Sequence, residues 1–314
     1  MSVPADTRTP SDEQREGAST APSRTAPRTD AATVERPSAC GPPRGGAHPA
    51  LGDQTDARAQ NDASADSIAN PGTSEGALCR SALWEALALG FRPPSAETAS
   101  RLLAPEGAAA LGDAAAWLDR ERGTALAPLA RRLAGPPDLE AMTAAYQRLF
   151  GHTARGLVPP YETEYGADSL FQPIHEMSDL AAFYRAFGLT LRGDARERPD
   201  HVACECEFLA FLARKEAYAE ERGHAPILEG TRQAIRRFLA SHLGRWAPAF
   251  GRALTQHDPG GFFGDLGLLA TAYVTAECDR VGVPAGPEFL RLRTTADPDI
   301  PAACGVPTAH AEGP

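Results

Sequence analysis

From Glu75 onward the apolar residues recur at three- and four-residue intervals, and no run of alternating β-branched residues interrupts them. A chain with that period must bury helical stripes against one another, so the predicted fold class is all-α, a single globular multi-helix bundle of about nine to eleven helices. The expected elements follow from the punctuation. Leu78, Leu83, Leu87 and Phe91 share one face of a helix over 77–91 that Pro93 and Pro94 stop, and Ser95 starts the next. Helices over 108–120 and 126–133 follow, and Asp138 caps one running to Phe150. The segment 173–187 carries Leu180, Phe183 and Tyr184 before Gly188 ends it. Asp200 is expected to cap the clearest helix, which runs to about Glu221 with Phe208, Leu209, Phe211 and Leu212 on its core face. Helices over 227–243, 246–254 and 262–281 complete the set.

The pattern stops on both sides. Before Glu75 the chain is rich in Ala, Pro, Ser, Thr, Asp and Arg, and the first aromatic residue is Trp84. Such a stretch has too little apolar surface to offset its ordering entropy, so residues 1–74 are expected to be disordered. Residues 75–293 form the expected helical domain and 294–314 a loose C-terminal tail. The formal net charge is −10, most of it after residue 74. An acidic surface repels phosphate and attracts basic peptides, which excludes nucleic acid as a partner. No charged start followed by an apolar run and no long apolar span is present, so a cytoplasmic protein without stable membrane insertion is expected. The six cysteines are then expected to stay reduced. Cys204 and Cys206 point to different sides of their helix, lack a second pair at zinc-ligand spacing and read as small buried apolar residues.

Two polar clusters stand out. Glu197-Arg198-Pro199-Asp200-His201 leads into Glu205, and His201 and Glu205, four apart, share a helical face. That pair fits a capped and hydrogen-bonded helix start, or two ligands of a helical metalloenzyme that would need a third such as His175 or Glu164. The second cluster, Pro159 to Tyr165, sets Tyr161, Glu162, Glu164 and Tyr165 in a stretch whose Gly151, Gly156, Pro159, Pro160 and Gly166 forbid a continuous helix. Its phenols and carboxylates suit a cationic segment through cation–π contacts and charge-assisted hydrogen bonds. Equally, its rings can plug the bundle. Phosphate-loop, H-E-x-x-H and G-x-S-x-G patterns are absent.

These phrases in order also carry a resemblance. Tyr146-Gln147-Arg148-Leu149-Phe150-Gly151, Pro159-Pro160-Tyr161-Glu162-Thr163, and Glu197 to His201 followed by Glu205-Cys206-Glu207-Phe208-Leu209 resemble the TorD-like redox-enzyme maturation chaperones, a group that includes DmsD-type and NarJ-type proteins. The phrases Glu164-Tyr165-Gly166, 179–189 and 212–219 are most similar to the branch serving type II dimethyl-sulfoxide-reductase-family enzymes. The resemblance spans roughly 76–283. It implies an all-helical cytoplasmic chaperone, not an enzyme, holding no cofactor of its own. Its implied partner is the apo catalytic subunit of a molybdoenzyme, often at a twin-arginine leader, until the molybdenum cofactor is inserted. Carried over to this sequence, Tyr161, Glu162, Glu164 and Tyr165 with Glu197, Asp200, His201 and Glu205 form the expected client-binding surface. Cys206-Glu207-Phe208 departs mildly from the family's frequent Leu-Glu-Phe. A structural subunit of the reductase is the remaining alternative.

Overall fold

The computed structural model describes residues 34–35, 71–136, 138–151, 155–167, 172–191 and 197–294. Among them are ten α-helices: α1 (Pro71–Gly90), α2 (Ala96–Leu103), α3 (Pro105–Arg122), α4 (Leu126–Arg132), α5 (Leu139–Phe150), α6 (Gln172–Ala186), α7 (Val202–Glu221), α8 (Ala225–Ser241), α9 (Leu243–His257) and α10 (Phe262–Val281). The all-α reading therefore holds. It is qualified by a two-residue antiparallel ladder between β1 (Val34–Glu35) and β2 (Thr190–Leu191). Most of the expected N-terminal tail, and the chain after Thr294, lie outside the described residues.

Helix α7 is the axis of the bundle, with 13 of its 20 residues buried, so it has to be apolar or small nearly all round. Ala210, Ala213 and Ala217 leave room beside it for α1, and Phe208 meets Phe238 of α8 at 4.8 Å between ring centroids. Tyr273 of α10 tilts against Trp84 of α1 and donates its hydroxyl to the Arg80 carbonyl at 2.8 Å, so its one polar side-chain atom is satisfied inside the core. Helices α9 and α10 approach at glycines. A side chain at Gly251 would stand 2.5 Å from the Gly267 carbonyl, and one at Gly267 equally close to that of Gly251. The aromatic side chains Trp84, Phe91, Phe208, Phe238, Trp246, Phe250 and Phe263 fill the interior, each contributing about 1.5–3 kcal/mol by leaving water.

Two helix starts are as expected: Ser95 closes a capping box with Thr98, and Asp138 accepts from the Ala141 N–H at 2.9 Å. A third is a correction. The N-cap of α7 is His201, whose Nδ1 accepts from the Ala203 N–H at 3.1 Å, because the Asp200 carboxylate is already taken up by Arg198 and Thr163. Leu78, expected on the core stripe of α1, is 48% exposed, because the buried face of α1 runs through Ala77, Ser81 and Trp84, with Ser81 donating to the Ala210 carbonyl of α7. Cys204 and Cys206 are buried and free, and burial pushes both thiols upward, so they remain protonated, apolar fillers. No helix among the described residues is long and apolar enough to cross a membrane.

Candidate functional site

The two polar clusters meet. The loop over 155–167 folds back on the start of α7 through an antiparallel bridge between Tyr161 and His201, where the Glu162 N–H donates to the Asp200 carbonyl and the Val202 N–H to Pro160, both at 2.9 Å. Pro159 and Pro160 preset the extended approach, and Glu162–Glu164 close one 3₁₀ turn. Asp200 staples the two segments. Its Oδ2 accepts from the Thr163 hydroxyl at 2.7 Å and from Arg198 at 2.8 Å, while Oδ1 accepts from Arg198 Nε at 3.0 Å. Arg198 then lies 4.4 Å over the Tyr161 ring, and the Tyr161 hydroxyl donates to Glu197. Burial, helped by Glu197, pushes that phenol up to about 12.

All eight expected client-binding residues therefore gather at one place, but they divide by depth. Glu162, Tyr165, Asp200, His201 and Glu205 are none more than 5% exposed, whereas Tyr161, Glu164 and Glu197 reach the surface. Tyr165 tilts against Trp246 with its hydroxyl donating to the Pro159 carbonyl at 2.9 Å, so this ring does plug the bundle. Glu162 turns inward to His242, whose Nδ1 lies 3.0 Å from Glu162 Oε2 and whose Nε2 lies 3.2 Å from Asp179 Oδ2. Glu205 sits deepest. Neither of its oxygens closes a hydrogen bond, although the Trp246 indole faces it. Burial first, then the charges of Glu162 and Asp200, push its carboxyl well above the usual carboxylate range. Glu162 is also raised by burial, against the pull of His242. His201 is lowered by burial and stays neutral as the cap of α7.

Several members of the site carry no local signal in the sequence. His242 stands at the break between α8 and α9, Asp179 and Glu176 come from α6, and Arg293 arrives from beyond α10, forking on Glu176 at 3.0 and 3.2 Å. Arg155 pairs with Glu164 at 3.0 Å, and Arg245 stands 3.8 Å from Glu162. Among the described residues, six carboxyl groups (Glu162, Glu164, Glu176, Asp179, Glu197 and Asp200) thus gather with four guanidinium groups (Arg155, Arg198, Arg245 and Arg293), and Glu205 lies beneath them with no guanidinium of its own. The metal triad does not assemble: Glu164 is spent on Arg155, His201 Nδ1 is spent on the α7 cap, and no three His, Cys, Asp or Glu side chains converge on a metal position among the described residues.

Comparison with known proteins falls on the same elements. Residues 116–252, from α3 to α9, match the family described as nitrate reductase delta subunit. The selenate reductase assembly chaperone protein of Thauera selenatis is 35% identical over 122 residues, covering 39% of this chain and 58% of that protein. The chaperone protein TorD of Vibrio cholerae is 30% identical over 135 residues, 42% of this chain and 59% of the relative. The chlorate reductase assembly chaperone protein of Ideonella dechloratans is 38% identical over 91 residues, 29% of this chain and 43% of the relative. The chain thus spans about half the length of the relatives it matches.

Proposed function

We propose, from the similarity of the central helices to the TorD-like maturation chaperones, that the protein is a cytoplasmic assembly chaperone for a molybdenum-cofactor oxidoreductase. It holds the catalytic subunit in its apo form, engages a basic, apolar-flanked segment such as a twin-arginine leader, and lets go once the cofactor is in place. It is a binder, without a reaction of its own. One observation carries the reading: the loop and the start of α7 close into a single site where, among the described residues, carboxyl groups outnumber guanidiniums. The surplus faces outward through Asp179 and Glu197 beside the Tyr161 ring. The buried five residues build the platform and the outer ones meet the client. A cationic segment is steered to such a surface, and exposed pairs of this kind weaken with salt.

Mixing the full chain with the apo catalytic subunit, and separately with its leader peptide at rising salt, tests this. Binding is expected to fall with salt and to weaken several-fold in E197K and E164K. Binding indifferent to both changes would remove the electrostatic mode. Co-purification with the mature, cofactor-loaded enzyme would instead mark the chain as a permanent subunit.

A further inference from the structure

Beyond α10 the chain turns back across the start of α9 and runs in extended form along the acidic loop. Two devices hold this strap, residues 284–294. Pro248 has no N–H, so the carbonyl of Gly244 four residues earlier lacks its helical donor, and the Gly286 N–H of the strap donates to it at 2.8 Å. A side chain at Gly286 would run into the Arg245 carbonyl, so only glycine passes there. Farther along, the strap pairs with the loop through an antiparallel bridge between Tyr165 and Leu292. The Gly166 N–H donates to the Arg291 carbonyl at 2.9 Å and the Arg293 N–H to that of Glu164 at 2.8 Å. Arg293 then enters the site, forked on Glu176 and donating to the Thr163 and Ala167 carbonyls at 2.9 and 3.1 Å.

The strap reads Phe289-Leu290-Arg291-Leu292-Arg293, arginines alternating with leucines behind a phenylalanine. That is a basic, apolar-flanked strand, the chemistry assigned above to the client. It is also loosely bedded. An open pocket of about 370 Å³ lies between it and the site, lined by Glu162, Glu176, Trp246, Pro287 and Leu290, and Phe289 is 68% exposed. We propose that the loop edge 163–167 with Glu176 is a receptor for one extended, arginine-bearing peptide strand, that the chain's own strap fills it at rest, and that a client segment of the same chemistry replaces the strap. The identity of the incoming segment rests on the function proposed above; the exchange itself does not. Recognition is strand addition, with backbone bonds supplying affinity and the Glu176 pocket selecting arginine. A tethered occupant lowers the apparent affinity of any competitor in proportion to its occupancy.

The test uses a fluorescein-labelled synthetic copy of residues 286–294, titrated by anisotropy into the full chain. G286A lifts the strap at its anchor and leaves the receptor untouched, so it is expected to bind the probe at least ten-fold tighter than the unaltered chain. Adding E176Q removes that gain, and a probe carrying R293A does not bind. Equal affinity for both chains, no binding to folded G286A, or a gain that survives E176Q overturns the exchange. Should G286A fail to fold, hydrogen exchange on the unaltered chain decides: with saturating probe the amides of 286–293 must lose protection, and retained protection overturns the proposal. A leader peptide competing with the probe joins the two readings. A leader that binds without competing overturns the strap as client mimic and spares the chaperone function, whereas a leader that binds nowhere sinks the leader-binding reading while the exchange stands.

Discussion

Helix α7 carries two buried carboxylates about three turns apart, and they are kept in opposite ways. Near its C-terminal end Glu216 accepts from Arg80 at 2.8 Å and from Arg232 at 2.9 Å, and the two arginines hold it below the usual carboxylate range in spite of its burial. Near the N-terminal end Glu205 has no guanidinium against it, lies among Glu162, Asp200 and Glu176, and is driven upward. One end of the helix is a neutralised anchor. The other accumulates acid at a cost in stability, an arrangement that native chains keep where a site needs it.

Breaking the anchored end has the larger effect. Glu216→Ala leaves Arg80 buried without its carboxylate and Arg232 with Glu220 alone, and removal of one member of a buried ionic set costs about 3–5 kcal/mol. In a domain of this size that is a fall in melting temperature of roughly 10 °C or more, read by thermal denaturation. At the acidic end, Asp200→Asn weakens the charge-assisted bonds from Arg198 and Thr163 that hold the loop to α7, for about 2 kcal/mol. Its more telling readout is local. Hydrogen exchange over 161–166 should accelerate while the α1–α7 seam stays protected, and uniform acceleration would mean that Asp200 supports the whole bundle.

The contrast between the two ends was only half legible in the sequence. Caps and periods are local, so Ser95, Asp138 and the core faces of α7 and α10 could be read from neighbouring residues. The grouping of the acidic loop with the start of α7 is what the family resemblance implies, and neither periodicity nor spacing yields it. What no local pattern carries is a partner far away in the chain: Arg80 and Glu216 are 136 residues apart, and Arg293 and Glu176 are 117 apart. For the same reason Asp200 read as a helix cap, because capping is the local use of an aspartate. Arg198, two residues away, and Thr163, from another segment, outbid the helix for its carboxylate. The stretch between the end of α10 and the tail expected from residue 294 carries no helical period and is assigned no element, yet its glycine is what lets the strap cross α9. Pro248 was the one available hint, since a proline inside a helix leaves a carbonyl that something else must satisfy.

The smallest effect, and the sharpest test of the comparison, is at Glu205. A carboxyl raised in the folded state binds its proton more tightly there than in the unfolded chain, so between the unfolded value near 4.5 and the raised native one, stability is lost as pH rises. Glutamine keeps the shape and drops the titration. Glu205→Gln should therefore be nearly neutral at about pH 4, where the carboxyl is largely protonated in both states, and gain on the wild type as pH rises. Glu216→Gln must behave oppositely. Its native carboxyl is lowered, so the stability it supplies is present above about 4.5 and disappears as pH falls through the native value, and the variant's deficit should close only in acid. Melting curves of both variants from pH 4 to 8 would show two trends of opposite slope from one helix. Parallel trends would mean that Glu205 finds a counter-charge in solution, and that the acidic end is as well neutralised as the anchored one.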